Sequence, residues 1–297
     1  MLEFVMWDVQ HGNATYIKMP NGRHMVIDLG IGSYAQSAPF SPLLHLKNKY
    51  GVQKLDYVVV THPHRDHIDD IFNFDALSPT TLHRPNHLTA AQILEGNKKD
   101  ESAEVKEYLK ISARYNSPVQ PNSSSDATAP NQWGGVKMSF FITSGCKTTN
   151  LNNHSVVTIF EYAASKIMIP GDNEVESWKE LIQDPRFLAA AKNLDVLLAP
   201  HHGRKAGYCP ELFEAIGKCS LTIISDGPYL DTSATSSYGN QSEGWLVHYP
   251  DKSSEKRKCV TTRKNGVIRV KVYYGSEDGK PYLIVHAQKG TAAGAGN

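Results

Sequence analysis

Short apolar runs separated by polar turns dominate the chain, and many are rich in β-branched residues, as buried strands are. Apolar positions with helical spacing occur between them, over residues 42–50, 68–74, 101–114, 174–181 and 211–216. The predicted strands fall into two groups, residues 2–7, 15–18, 23–27, 55–60 and 80–84, then 136–143, 156–162, 166–169, 194–199 and 221–225. Two strand groups with helices between them favour an α/β fold in which two sheets pack face to face under outer helices, an αββα sandwich.

The length of 297 residues fits one domain of this kind, which we predict over residues 1–289. Residues 116–132 are rich in Ser, Pro and Asn and contain almost no bulky apolar side chain. We expect a flexible loop there, either a lid over a substrate groove or a disordered excursion. Residues 290–297 are mostly small and are predicted to be a disordered tail.

Composition says little about partners. The formal net charge is +1, from 31 basic and 30 acidic residues, so no long-range field attracts nucleic acid or an anionic membrane. No apolar run approaches the ~20 residues that a membrane span needs. The four cysteines form no CxxC pair, which argues against a zinc ribbon and requires no disulfide. We therefore expect a soluble protein without a membrane partner, cytoplasmic by default, in a reducing compartment.

One polar loop concentrates metal-ligand side chains. The apolar strand at 55–60 ends in His62-Pro63-His64-Arg65-Asp66-His67. Imidazoles and a carboxylate are ligands that zinc accepts, and manganese or iron also tolerate them. The alternative is a solvated, histidine-rich surface loop, but four such residues directly after a buried strand favour a metal site. We predict that His62, His64, Asp66 and His67 are metal ligands.

This loop matches the HxHxDH signature and resembles the metallo-β-lactamase superfamily, in which such a loop holds two metal ions. Further turns resemble the ComEC-type branch, the metallo-hydrolase domains of DNA-uptake proteins and their free-standing relatives. They are the turn from Asp8 to Ala14, Asn152-Asn153-His154-Ser155, and the tandem histidine of Pro200-His201-His202-Gly203. The resemblance extends from Asp8 to about Val270 and implies the four-layer αββα metallo-β-lactamase sandwich.

The resemblance also implies roles for residues at other strand ends. Asp172, after the strand at 166–169, matches the aspartate that bridges the two metals, with a helix N-cap as the alternative. Asp28 matches an aspartate that would orient the metal loop by hydrogen bonding, with a simple strand-end cap as the alternative. Asp8 and His11 lie in the first turn, and His11 either faces the metals or closes that turn.

The third ligand departs from the common pattern, because Leu151 stands where many members have a histidine. His154 is a candidate replacement, with a supporting or substrate-binding role as alternatives, and Asn153 is a candidate substrate contact. His201 comes directly off the strand at 194–199 and is predicted to be the closing ligand. His202 is then a candidate acid or substrate contact, and a structural histidine is the alternative for either residue.

A pair of zinc or manganese ions would hold a hydroxide near neutral pH, and Asp66 could orient it as well as ligate. Arg204 and Lys205 would add positive charge for a phosphate, or be ordinary surface. We therefore predict a phosphodiesterase or nuclease, with nucleic acid or another phosphodiester as its partner. The alternatives are a hydrolase of a small ester, thioester or lactam, and a binding or regulatory module with weakened catalysis. The sequence identifies no protein partner.

Overall fold

The computed structural model describes residues 1–31, 40–98, 102–227 and 232–289. Its strands are β1 Leu2–Met6, β2 Thr15–Lys18, β3 His24–Ile27, β4 Tyr57–Val59, β5 Leu82–His83, β6 Lys137–Phe141, β7 Val157–Tyr162, β8 Ser165–Ile169, β9 Val196–Leu198, β10 Leu221–Ile224, β11 Trp245–His248, β12 Ser254–Arg257, β13 Cys259–Thr261, β14 Ile268–Tyr274 and β15 Pro281–His286. The predicted tail at 290–297 and the first residue of the predicted helix, Glu101, lie outside the described residues.

The helices alternate with the strands. The α-helices are α1 Pro42–Lys49, α2 Arg65–Ile68, α3 Ala90–Gly96, α4 Ala103–Arg114, α5 Val175–Leu181, α6 Pro185–Ala191, α7 Pro210–Ile216, α8 Thr235–Asn240 and α9 Thr262–Asn265. The 3₁₀ helices are Ile71–Leu77, Pro130–Trp133, Leu151–His154, Pro200–Gly203 and Lys205–Gly207. Within the described ranges, no helix has the length and apolar character needed to cross a membrane.

The strands of the described chain form two mixed sheets. The larger has nine strands in the order β12-β11-β15-β14-β1-β2-β3-β4-β5, and the smaller has six in the order β13-β10-β9-β8-β7-β6. A central apolar core lies between them, where Phe4 of β1 meets Phe160 of β7 edge to face at 5.1 Å between ring centroids. Successive residues of β4 alternate between this core and the outer one, Tyr57 and Val59 facing inward and Val58 outward.

A second core joins the outer face of the larger sheet to α1, α3, α4 and the 3₁₀ helix Ile71–Leu77. A third joins the smaller sheet to α5, α6, α7 and α8. The four layers are therefore helix, sheet, sheet and helix. The predicted αββα sandwich is confirmed.

Parallel pairing brings several strand ends to one rim. β3 and β4 are parallel, with Ile27 opposite Val59, so Asp28 lies beside the start of the metal loop. In the other sheet, β8, β9 and β10 are mutually parallel neighbours, and their carboxyl ends also point to one edge. The backbone N–H of Val156 donates to the Thr61 carbonyl at 2.9 Å and joins the two sheets at this rim. Residues that follow five separate strands can therefore meet there.

The segment 116–132 has a defined path with internal contacts. Asp126 accepts hydrogen bonds from Asn122 and Thr128, and its carbonyl accepts from the Trp133 indole at 2.8 Å. Trp133 is fully buried and packs under Arg23, 3.8 Å from the guanidinium carbon. Arg23 precedes β3, so this anchor lies at the opposite end of the strand from the metal loop. Flexibility of the segment stays a prediction, but its anchor does not place it over the site.

Candidate metal centre

The HxHxDH stretch forms a tight loop and one short helix. β4 ends at Val59, and α2 begins at Arg65, three residues before the predicted start. His64 takes the N-cap position and thereby ends the extended loop that carries His62. His62 and His67 are fully buried. The loop is therefore not a solvated surface turn.

Four side chains from three chain segments converge at the rim. One ligand-type atom from each of Asp66, His67, Asp172 and His202 lies within 4.8 Å of all the others. His67 Nε2 is 3.2 Å from an Asp172 oxygen, and His202 Nε2 is 3.2 Å from both Asp66 and Asp172 oxygens. Asp172 follows β8 and His202 follows β9, so both sheets contribute.

Asp28 orients His67 from the third strand. Its carboxylate is fully buried and accepts from the Thr61 backbone N–H at 2.7 Å, the Thr61 hydroxyl at 2.9 Å and Asn13 Nδ2 at 3.0 Å. It also accepts from His67 Nδ1 at 2.8 Å. This bond places the proton of His67 on Nδ1 and directs Nε2 into the cluster.

His202 is held in the same way by a backbone group. Its Nδ1 donates to the Ser225 carbonyl at 3.1 Å, and the Ser225 hydroxyl donates to the Gly12 carbonyl at 2.7 Å. Nε2 therefore faces the two carboxylates. The Ser225 carbonyl, which follows β10, does for His202 what Asp28 does for His67.

The charges of this cluster call for a cation. Burial opposes protonation of His67, but Asp172, Asp28 and Asp66 outweigh it and raise the pKa of His67 well above its ordinary value. Burial likewise opposes protonation of His202, while Asp172 and Asp66 raise the pKa of that imidazole to about 9. The same attraction lowers the pKa values of both carboxyls despite their burial. Two carboxylates, Asp172 buried and Asp66 largely so, thus demand positive charge between them.

A divalent ion meets that demand better than protons do. His67 Nε2 and His202 Nε2 are 3.3 Å apart, and both Nδ1 atoms already carry protons. With both rings neutral the facing Nε2 atoms present two lone pairs to each other, and with both rings protonated they present two N–H groups, so only a singly protonated pair avoids repulsion. A cation shared with the carboxylates removes the repulsion, and two imidazoles with two carboxylates are a donor set for zinc or manganese. These residues fit a divalent metal.

His62 and His64 form a second pair of ligand-type atoms beside the cluster. His62 Nδ1 donates to the Thr61 hydroxyl at 3.2 Å, since that hydroxyl gives its own proton to Asp28. His62 Nε2 is thus a lone pair, and it lies 2.9 Å from His64 Nδ1. The His62 and His67 ring centroids are 4.3 Å apart, so the pair adjoins the four-residue cluster. Burial lowers the pKa of both His62 and His64, which favours the neutral, metal-binding form.

His201 does not reach the cluster, contrary to its prediction as the closing ligand. Its Nδ1 lies 3.1 Å from Glu174 Oε1, and His202 occupies the cluster instead. Both residues have left-handed backbone angles, with φ of 50° and 52°. This conformation, uncommon outside glycine, turns the chain so that the second ring of the tandem faces the metal rim. His202 is the ring of the tandem that lies in the cluster, and its predicted role as an acid or substrate contact stays a prediction.

His154 and Asn153 also point away from the cluster. His154 is fully buried and its Nδ1 lies 2.9 Å from His87 Nε2. Asn153 accepts from the Glu174 backbone N–H and donates to Glu176, so it caps the start of α5. The cause is the 3₁₀ helix Leu151–His154, in which successive side chains diverge by about 120°. Neither the proposed third-ligand role nor the substrate contact matches this geometry.

Of the remaining predicted residues, His11 and Arg204 lie at the mouth of the site. His11 Nε2 is 3.4 Å from Asp66 Oδ2, and its ring packs 4.7 Å from that of His202. Arg204 Nη2 lies 3.2 Å from His11 Nδ1. Lys205 is exposed, and its backbone N–H donates to the Thr232 carbonyl. Asp8 is buried in the first turn and accepts from the Gln10 N–H, while burial raises its pKa to about 6.

Three supporting residues were missed from the sequence. Ser225 acts through its backbone carbonyl, which any residue type could supply. Thr61 acts through its side-chain hydroxyl. Both residues lie at strand ends. Glu174 accepts from Asn150 and Asn152 at 2.9 Å each, and the contact with His201, opposed by burial, lowers its pKa to about 2. Only its position two residues after Asp172 could have drawn attention to it.

The sequence model of the metallo-beta-lactamase superfamily matches residues 7–215. No curated protein matches the chain. Among solved structures, the chain is similar to a metallo-β-lactamase HARLDQ-motif mutant from Cronobacter sakazakii, with 17% identity over 65% of this chain and 74% of that one and a TM-score of 0.38. It is also similar to a long-form RNase Z from yeast, with 13% identity over 77% of this chain and 37% of that one and a TM-score of 0.39. It is similar as well to the dizinc quorum-quenching lactonase AidC, with 14% identity over 54% of this chain and 57% of that one and a TM-score of 0.33. At these low scores the structural likenesses carry no argument about a substrate.

Proposed function

This chain belongs to the metallo-β-lactamase superfamily, and from that premise we propose that it is a metal-dependent hydrolase of phosphodiesters, with nucleic acid as the natural class of substrate. The observation that carries the proposal is the convergence of Asp66, His67, Asp172 and His202 at one rim of the sandwich. Buried carboxylates and oriented imidazoles at such density serve metal-assisted hydrolysis better than they serve folding.

Two divalent ions, zinc or manganese, would supply Lewis acidity and lower the pKa of a bound water toward neutrality. His62 and His64 would hold one ion, and His67, His202 and Asp66 the other. Asp172 would add a carboxylate ligand to the centre. Asp28 and the Ser225 carbonyl keep the two cluster imidazoles in the tautomer that ligates. Because they are fixed before substrate arrives, little reorganisation is needed during reaction.

The residues at the mouth support a phosphate-containing substrate. His11 connects Arg204 to the cluster. Arg204 Nη2 lies 3.2 Å from His11 Nδ1, and His11 Nε2 lies 3.4 Å from Asp66 Oδ2. Burial lowers the pKa of His11 to about 4, with help from His202, so His11 is neutral at pH 7 and the guanidinium supplies the charge. A guanidinium fork matches the paired oxygens of a phosphodiester. Lys205 adds a second cation at the surface.

The ComEC-type resemblance supports DNA as the substrate within this class. Of the turns that carry it, those around Asp8 and His202 contribute side chains to the proposed site, namely His11 and His202. Arg204 stands where a serine is usual in that branch, which adds charge next to the scissile group. A cytoplasmic nuclease or phosphodiesterase is the resulting proposal.

The test combines metal content with hydrolysis. Metal per chain is measured by mass spectrometry, and activity is measured on bis(p-nitrophenyl) phosphate, single-stranded DNA, RNA and cyclic nucleotides. We expect metal-dependent cleavage by the native chain and none by Asp66→Ala. Asp75→Ala is the matched control, because Asp75 is an exposed partner of Arg114 remote from the rim.

Two outcomes would contradict the proposal. Hydrolysis of small esters, thioesters or lactams with DNA left intact would assign a different substrate class. Less than one ion per chain, together with no hydrolysis of any ester, would indicate a binding or regulatory module.

A further inference from the structure

The His62–His64 pair lacks the third imidazole that many family members have, and the side chain next to it is an amide. We infer that Asn152 completes this position as a metal ligand through its Oδ1 atom. The inference rests on the proposed two-metal centre but does not depend on which substrate, if any, is hydrolysed.

The hydrogen bonds of Asn152 fix the direction of its amide. Its Nδ2 donates to Glu174 Oε1 at 2.9 Å, and a carboxylate can only accept. The nitrogen of the amide is therefore on the Glu174 side and the oxygen points the other way. That oxygen is buried and has no hydrogen-bond partner among the described residues. A buried acceptor left unpaired costs free energy that a cation would recover.

The oxygen is directed toward the histidine pair. The Asn152 side chain makes a polar contact with His64. Because the amide nitrogen is on the Glu174 side, the atom that faces His64 is the oxygen. His62 Nε2 and His64 Nδ1 lie 2.9 Å apart at the same place. A buried, unpaired amide oxygen thus lies beside a pair of imidazole nitrogens.

The neighbours of Asn152 in sequence are committed elsewhere. Asn153 uses both ends of its amide at the start of α5, and His154 pairs with His87. Asn150 also donates to Glu174, at 2.9 Å to Oε2, but no unpaired atom of it is buried. The 3₁₀ geometry leaves Asn152 as the side chain of this turn that faces the histidines.

An amide oxygen at this position changes which metal ion the position prefers. It is a harder and more weakly binding donor than imidazole, so it favours manganese over zinc relative to a three-histidine site. The two metal positions are then unequal, since the one built from Asp66, His67, Asp172 and His202 has charged ligands and oriented rings. Glu174 supports the weaker position by holding the amide in place.

Calorimetric titration of the chelator-treated full chain with Mn²⁺ and Zn²⁺ tests the inference. We expect two binding steps in the native chain, and the weaker step to lose at least about tenfold in affinity in Asn152→Ala while the stronger step is kept. Asn150→Ala is the matched control, because it removes a bond of the same length to the same carboxylate, and its two steps should resemble those of the native chain. Circular dichroism and thermal melting verify that each variant is folded.

Asn152→His provides an independent arm if Asn152→Ala does not fold. A histidine can donate one nitrogen to Glu174 and offer the other to the metal, so the weaker step should strengthen for Zn²⁺ more than for Mn²⁺. Native-like binding in Asn152→Ala, an equal loss in Asn150→Ala, or unchanged zinc affinity in Asn152→His would each overturn the inference. Two-step binding without any hydrolysis would refute the proposed function and leave this inference standing, whereas hydrolysis with unaltered binding in the Asn152 variants would do the reverse.

Discussion

Replacing Asp28 by asparagine changes one oxygen of the residue that orients His67, without altering its size. Asp28 Oδ2 accepts from His67, Thr61 Oγ1 and Asn13, and Oδ1 accepts from the Thr61 backbone N–H at 2.7 Å. An amide has one acceptor oxygen, which would take the crowded Oδ2 side. Its nitrogen would then face the Thr61 N–H, so two donors would meet in a fully buried position.

The expected losses follow from these contacts. A charge-assisted hydrogen bond contributes about 1.5–3 kcal/mol, and a buried donor without an acceptor costs about 1–3 kcal/mol. Asp28→Asn should therefore lower the free energy of unfolding of the metal-free chain by about 2.5–6 kcal/mol. The loss of the fixed His67 tautomer should weaken zinc binding by about 10–100-fold.

Urea unfolding of the metal-free chain and competition of the zinc-loaded chain with a chelator measure the two effects. Asp56→Asn is the control, because Asp56 also accepts from a backbone N–H, that of His24 at 2.9 Å, but at the other end of β4. It is partly exposed and paired with Arg23, so its loss should cost about 1 kcal/mol or less and leave zinc affinity intact. Native zinc affinity in Asp28→Asn would refute the argument that Asp28 builds the metal site.

Two further predictions concern substrate binding and pH. Arg204→Ala should raise KM for phosphodiesters by roughly tenfold or more with little change in kcat, because about 1.5–3 kcal/mol of charge-assisted bonding is lost; steady-state kinetics of this variant and Arg204→Lys test it, and an equal effect on a neutral ester would speak against phosphate contact. Burial raises the pKa of Asp70 from 3.8 to about 6, so its stabilising contribution is complete below pH 3.8 and is lost as pH rises through about 6. At about 1.4 kcal/mol per pKa unit, this shift amounts to about 3 kcal/mol. The unfolding free energy of the native chain should therefore rise by about 3 kcal/mol relative to that of Asp70→Asn when the pH falls from 7 to 4. A constant difference between the two unfolding free energies over that range would contradict the prediction.

The parts of the site that sequence predicts are those set by a single strand end. His62, Asp28 and Asp172 each come within three residues of the end of an apolar strand, and parallel pairing then brings the ends together. The fold follows for the same reason, because its two strand groups and covering helices have clear apolar periodicity.

What sequence could not predict depends on backbone angles within turns. Extended geometry off β9 would favour His201, but two consecutive left-handed residues reverse the choice in favour of His202. The 3₁₀ turn likewise distributes Asn152, Asn153 and His154 in three directions. No local pattern in the chain marks either conformation, and the partners that fix them, Glu174 and His87, come from distant segments.

The rim is also where the two sheets are tied to each other. His62 and His67 follow a strand of the larger sheet, whereas Asp172 and His202 follow strands of the smaller one, and a backbone hydrogen bond from Val156 to Thr61 joins the two sheets there. Before the two sheets dock, each sheet therefore carries only part of the four-residue cluster. Under the proposed function, an ion held by all four residues would bind only after the two sheets have docked, and it would stabilise the docked sandwich by an amount that grows with the free metal concentration.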